Sequence, residues 1–439
     1  MGKGKTRQWN TIVMALGMAL MAWQATAGAD ELGDLKEELQ QQKMRTAEME
    51  NRINQLESRQ LLKERSVQEQ IDQVEAKVEE APSEAVIPEV LKWAAKMQWS
   101  GDFRYRYEYI DDGTREDDRH RNRIRARLGM KAEISDEWDV GLRVASGTAD
   151  PVSTNQTLDE AFSRKPLWID RAYFDYQPAW MEGLNASAGK ISNPFHTVGG
   201  NQLIWDSDLS PEGGALQYGW RLNKQTGLYL NGGGFWVNEE SSSADASLWG
   251  IQAYVKHQFG EPCYLLAGVS YFDYGNIQGH GSFADEWDGE HDLFGNSGMT
   301  GDPNAFESDF DLLELFVEYG TEIGGMPVAV WGDWVKNTVA VSSEDTGWLV
   351  GGKINKAKDP GTWEFSYDYR DIELDAVVGQ FNDSDFIGGG TGGQGHRFTF
   401  TYALAKNTQA ALTYFDNEFD GRKSDEDYDR LQADIKLKF

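Results

Sequence analysis

Residues 97–110 read MQWSGDFRYRYEYI, and this stretch decides the fold. Its odd positions Trp99, Phe103, Tyr105, Tyr107 and Tyr109 are apolar or aromatic. Its even positions Asp102, Arg104, Arg106 and Glu108 are charged. A repeat of two is that of an extended strand, whose successive side chains point to opposite faces. One greasy face and one charged face on the same strand suit lipid outside and water inside. Trp363, Phe365, Tyr367 and Tyr369 alternate in the same way with Glu364, Ser366, Asp368 and Arg370. So do Phe398, Phe400, Tyr402 and Leu404 with Arg397, Thr399, Thr401 and Ala403.

Working outward from these, sixteen such segments fit between residues 97 and 439, the fifth (184–190) and sixth (213–221) being the least regular. The connections between them alternate long and short. Residues 135–137, 260–262 and 405–407 are short; residues 111–118, 148–167, 191–212, 275–308 and 373–394 are long. An even strand number with short periplasmic turns and long outer loops is the topology of a transmembrane barrel. The expected fold is therefore all-β, a 16-stranded antiparallel transmembrane β-barrel over residues 97–439, preceded by an α-helical coiled coil. In the last segment Leu431, Ala433, Ile435, Leu437 and Phe439 alternate with polar residues. Ile435, Leu437 and the terminal Phe439 resemble the signal that barrel-assembly machinery recognises.

The N-terminal part has a different pattern. Lys3, Lys5 and Arg7 precede an apolar run from Thr11 to Trp23, and Ala25-Thr26-Ala27 offers a cleavage site, so residues 1–27 read as a secretory signal. An N-terminal anchor is the competing reading, but the run is short for a membrane span. From Leu32 a heptad fits, with Leu35, Leu39, Met49, Ile53, Leu56, Val67 and Val74 on its a and d positions. Residues 28–81 thus read as a periplasmic coiled coil or, alternatively, as a lone amphipathic helix lying on the barrel. Pro82 and Pro88 mark a linker over residues 82–96.

Composition narrows the function classes. The net charge of -30 argues against a nucleic-acid partner. Cys263 is the single cysteine, so no disulfide within the chain holds the fold. A barrel hydrolase would need a Ser/His or Asp/His constellation, yet His120, His257 and His396 have no companion G-x-S-x-G motif. No cofactor or metal motif is present, and the chain reads as no enzyme. Asp285, Glu286, Asp288, Glu290, His291 and Asp292 crowd one outer loop, but their spacing does not match an EF-hand. They read as a solvated loop bridged to lipopolysaccharide by divalent ions, with calcium binding by the clustered carboxylates as the alternative.

Residues 121–130 (RNRIRARLGM), 138–143 (WDVGLR), 189–195 (GKISNPF) and 205–213 (WDSDLSPEG) carry a family resemblance. The chain resembles the putative-porin family of Gram-negative bacteria over nearly its whole length. The resemblance implies an outer-membrane location, passive diffusion of small hydrophilic solutes and ions, and a homotrimer with three separate pores. A structural tether, gripping the cell wall through the coiled coil, is the alternative of a different class.

Candidate selectivity residues follow from the cost of charge in lipid. Arg119, Arg121, Arg123, Arg125 and Arg127 share one face of the second strand. An Arg facing lipid at mid-membrane costs roughly 2–4 kcal/mol, so the row is expected to line the lumen together with Arg104 and Arg106. For Arg119 and Arg121 a rim position on lipid phosphate is the alternative. In 16-stranded porins the third outer loop narrows the lumen. Here that loop holds His196, Asp206, Asp208 and Glu212, whose acids would face the Arg ladder and set up a transverse field. A loop lying outside, with solvated carboxylates, is the competing arrangement.

Overall fold

The computed structural model describes residues 94–241, 244–283, 292–421 and 426–439. The signal segment, the coiled coil, most of the linker and residues 285–291 of the acidic loop lie outside the described residues.

Sixteen barrel strands run among the described residues. They are β1 (Met97–Asp112), β2 (Arg119–Glu133), β3 (Trp138–Ala145), β4 (Trp168–Tyr176), β5 (Leu184–Lys190) and β6 (Glu212–Arg221). Next come β7 (Thr226–Asn238), β8 (Ala246–Gly260), β9 (Cys263–Gly275), β10 (Phe310–Ile323) and β11 (Met326–Asn337). The last are β12 (Thr346–Asn355), β13 (Trp363–Ile372), β14 (Gly393–Ala405), β15 (Thr408–Phe419) and β16 (Asp427–Lys438). Each pairs antiparallel with the next, and β1 closes on β16 from Asp102 opposite Lys438 to Asp112 opposite Tyr428. Closure satisfies every strand edge, which a bilayer requires because it offers no water to an open one.

The alternation read from the sequence becomes two surfaces. Trp99, Phe103, Tyr105 and Tyr107 stand on the outside with Leu412, Ile435 and Leu437. Aromatic clusters mark the strand ends: Trp138 stacks on Tyr176 at 4.5 Å near one end, and Trp348 leans on Tyr369 at 5.3 Å near the other. Such girdles sit at the two membrane interfaces. At the seam Phe439 exchanges backbone hydrogen bonds with Gly101, each 3.1 Å, and lays its ring over that glycine. A Cβ on Gly101 would lie 2.4 Å from Phe439 Cζ.

The long connections are L1 (113–118), L2 (146–167), L3 (191–211), L4 (239–245), L5 (276–309), L6 (338–345), L7 (373–392) and L8 (420–426). β3 ends at Ala145 and leaves the outer part of β2 short of a partner. Gln156–Thr157 of L2 supplies it by pairing with Ile124 and Arg123. L5 adds a small hairpin of Gly298–Met299 and Asp302–Phe306, which the sequence reading did not anticipate.

The inner wall from β9 to β12 is largely apolar, with Phe272, Leu312, Phe316, Trp331 and Leu349 all buried beside the carboxyls of Glu314 and Asp333. L3 covers it with Phe195, Val198, Leu203 and Trp205. Phe195 meets Phe272 edge-on at 4.8 Å, and Trp205 meets the same ring at 5.2 Å. Each such side chain, fully buried, contributes roughly 1.5–3 kcal/mol. Gly199 of L3 has φ +62° and lies flat against the Trp331 ring, so no other residue fits that contact without strain.

Candidate functional site

The aromatic face of β1 looks outward, so its charged face looks inward. Register then fixes the neighbours. Asp102, Arg104, Arg106 and Glu108 stand opposite Arg127, Arg125, Arg123 and Arg121 on β2. On the other side Arg104, Arg106 and Glu108 stand opposite Lys436, Asp434 and Gln432 of β16. Six of the seven arginines anticipated from the sequence therefore come together on the lumen side of one wall, and Arg119, opposite Ile110 at the outer start of β2, stands exposed.

The wall is not of a single sign: carboxylates from β1, β16 and the loops stand among the arginines. Arg106 holds Asp434 through two bonds of 2.7 and 2.9 Å. Asp102 accepts from Arg125 at 2.9 Å and from Arg127 at 2.7 Å. Glu108 accepts from Arg121 and, at 2.7 Å, from Arg430. Arg104 donates to Asn155 of L2, with Asp434 4.0 Å away. Arg123 donates to the Asn155 carbonyl at 3.2 Å and lies 3.9 Å from Glu108. Such pairs hold inside a low-dielectric body only when their remaining donors and acceptors are also met.

The third outer loop does enter the barrel. Gly199 donates to Glu318 of β10 at 2.6 Å and Asn201 to Asp333 of β11 at 2.8 Å, while Asp208 reaches the opposite wall. Asp208 accepts from Arg127 at 2.9 Å, lies 3.8 Å from Arg125, and takes the Thr154 hydroxyl at 2.9 Å. Burial alone would raise the Asp208 carboxyl; Arg125, Arg127 and Thr154 outweigh it and hold the group below the ordinary carboxylate range.

The other three residues expected at the constriction do not oppose the ladder. Asp206 accepts from the backbone of Asp208 at 2.8 Å and of Ser384 at 3.0 Å, because the turn at 206–208 aims it away from the arginines. Burial, with Asp208 and Asp383 nearby, pushes its carboxyl well above the usual range. Glu212 begins β6 and pairs with Lys190 at 2.7 Å. His196 stacks on Tyr254 at 4.9 Å, and burial lowers its pKa. Of the barrel-assembly residues, Ile435, Leu437 and Phe439 all lie exposed on the outer face.

L7 enters the lumen as well, which the sequence reading missed. Its Asp385 lies 3.0 Å from Arg106 and 2.6 Å from Arg430, bridging β1 and β16. Burial opposes the charge, but Arg430 and Arg106 hold Asp385 well below the usual carboxylate range. Asp383 takes Arg370 of β13 at 2.7 Å, and Asp368 takes Arg370 at 3.0 Å and Arg397 at 2.6 Å. The Asp206 N–H donates to the Phe381 carbonyl at 2.8 Å, and Ser384 donates to the Val152 carbonyl at 3.1 Å, so L2, L3 and L7 form one clasp. The signal for Arg430 was present, since it sits on the inward positions of β16; no periodicity marks Asp383 or Asp385.

Along the ladder, Arg104, Arg106, Arg121, Arg123, Arg125, Arg127, Arg430 and Lys436 face Asp102, Glu108, Asp208, Asp385 and Asp434. Eight cations against five carboxylates leave the wall positive. A permeating ion would meet a polarised slot, with preorganised charges worth more there than in open water.

Comparison with known proteins places this architecture. The family model described as "Putative porin" matches residues 112–300 and 312–439. Among solved structures, OprB of Pseudomonas putida, determined at high pH, superposes with a TM-score of 0.54 at 12% identity, covering 79% of this chain and 96% of that one. A loop-deletion mutant of OmpT from Vibrio cholerae gives 0.47 at 12% identity, covering 78% and 99%. A triple mutant of the Rhodopseudomonas blastica porin gives 0.44 at 12% identity, covering 78% and 100%. The first likeness shows a shared barrel fold. No curated protein matches this sequence.

Proposed function

The chain belongs to the putative-porin family and is an outer-membrane porin, and from that premise we propose that it passes small hydrophilic solutes and ions by passive diffusion. The observation that carries this reading is the contact of L3 with the ladder, Asp208 against Arg125 and Arg127, from a loop anchored on the far wall. A loop spanning the bore narrows it and lines the narrow part with fixed charge, which is how a pore sorts polar solutes. The heptads of residues 28–81 support a homotrimer with a periplasmic coiled coil. The C-terminal alternation supports insertion by the barrel-assembly machinery, and the acidic outer loop supports contact with lipopolysaccharide through divalent ions.

Planar-bilayer recording tests the reading. The purified chain is expected to give stepwise, ohmic conductance, and replacing Arg123, Arg125 and Arg127 with Ala should shift its reversal potential toward cations. A folded chain that inserts and passes no ions would overturn it.

A further inference from the structure

We propose that the outer half of the lumen holds a binding site for small carboxylate anions, in a vestibule above the ladder. The inference rests on the channel reading and names a solute class for it. A cavity of about 270 Å³ lies there between the β1–β2–β16 wall and the loops L1, L2, L5 and L7. Arg121, Arg123 and Arg430 line its inner part, and Arg115 and Arg119 line its mouth.

The ion pairs do not neutralise this wall. Asp434 takes Arg106 in a two-bond pair, which leaves Glu108 and Asp385 to balance Arg121, Arg123 and Arg430. Arg123 is the poorly served member. Its Nη2 has only the Ser153 hydroxyl at 3.4 Å and the Asn155 carbonyl at 3.2 Å, and its Nη1 lies 3.9 Å from Glu108, which Arg121 and Arg430 hold more closely. Arg119 forms no ion pair among the described residues. Carboxylates also line the cavity, but at its mouth. Asp112 is taken by Arg115 at 3.0 Å, Asp117 is exposed to water, and Asp150 accepts from the Val152 backbone at 2.9 Å. The deeper part therefore keeps guanidinium forks with donors to spare, the geometry that matches a carboxylate in bidentate fashion.

Part of the remaining wall is apolar. Ile110, Val152, Phe294 and Tyr428 contribute to it beside the polar Ser153, Gln380, Asn382 and Ser384, and backbone from Gly388 to Gly390 approaches without side chains. A charged fork beside apolar surface favours an organic anion over an inorganic one, because the carbon skeleton leaves water as the charge is met. Arg119, Arg121 and Arg123 lie on one face of β2 at every second residue, about 7 Å apart, so a short dicarboxylate can engage two neighbouring members of the row.

Isothermal titration calorimetry of the full chain in detergent, with disodium succinate at low ionic strength, tests this apart from conductance. Saturable binding is expected, weakened severalfold by Arg119→Gln and at least tenfold by Arg119→Gln with Arg123→Gln. Lys336→Gln, on L6's side of the barrel, should leave it unchanged. Heat-modifiable migration on gels checks that each variant is folded, and Arg119→Gln at the rim keeps the test if the double variant is not. Inorganic phosphate should bind at least tenfold more weakly than succinate, and glycine should give no heat. Absence of succinate binding in a chain that conducts ions would overturn the vestibule and leave the channel standing. Succinate binding in a chain that conducts nothing would do the reverse. Phosphate or glycine binding as tightly as succinate would overturn the assignment to carboxylates.

Discussion

Replacing Asp208 with Asn removes one negative charge from the slot and keeps the side chain's shape. Asp208 is the one L3 acid that faces Arg125 and Arg127, at 3.8 and 2.9 Å, so its charge acts where L3 meets the ladder. A unit charge about 6 Å from an ion's path interacts by about 0.7 kcal/mol at the dielectric constant of water. The term has opposite sign for cations and anions, so the permeability ratio moves by about tenfold without screening. With a Debye length of about 10 Å in 0.1 M salt this falls to about threefold or fourfold toward anions, and with about 3 Å in 1 M salt to less than about 1.5-fold. Reversal potentials in a tenfold salt gradient, recorded at low and high mean salt, measure it. Asp206→Asn is the matched comparison. Asp206 lies two residues away, but burial holds its carboxyl well above the ordinary range and it points at L7, so it should move the ratio far less. Equal shifts from the two variants, or no shift from Asp208→Asn at low salt, would refute the placement of L3.

Three further outcomes are expected. Asp206 and Asp385 should respond to pH with opposite sign: Asp206 has a raised folded pKa, so its burial opposes folding increasingly above 3.8, whereas Asp385 has a depressed one, so its clasp is complete above 3.8 and lost as pH falls through the folded value. Thermal unfolding in detergent should therefore show Asp206→Asn stabilising at about pH 8 and nearly neutral at about pH 4. Gly101→Val should disturb the seam, since even a Cβ there would lie 2.4 Å from Phe439 Cζ; a loss of roughly 1–3 kcal/mol, read as a lower dissociation temperature on heat-modifiable gels, is expected. Deleting residues 34–81 should lower the stability of the oligomer, seen by light scattering after mild heating, more than it changes single-pore conductance.

The strands were legible because lipid imposes one rule on every one of them. Trp99, Phe103 and Tyr105 must face outward, and the side-chain repeat then places Asp102, Arg104 and Arg106 inside. The weakly alternating fifth and sixth segments still formed as β5 and β6, since the closed sheet needs them as neighbours. What fills the bore was much less legible. L3 and L7 fold on irregular backbone, and no period in their sequence tells Asp208 from Asp206, which differ only in the direction a turn gives them. Asp385 is unremarkable beside Ser384 until β1 and β16 are brought together behind it, 279 residues from Arg106 in the chain. The ladder itself could be read, but not its compensation, because Asp434 and Arg106 become partners only through the closing register.

The seating of L3 on the apolar wall from β9 to β12 separates two kinds of constraint. Strand residues answer to the bilayer and to register, where a change on either face is felt by two neighbours. Val198, Leu203 and Trp205 answer to the wall they cover, as do Gly199 and Asn201 through Glu318 and Asp333, whereas Asp208 answers to the ladder across the bore. Aperture is thus a property of an insert laid across the tube and clasped to L2 and L7, not of the strands themselves. The charge at Asp208 can then be changed without touching the register of the tube around it.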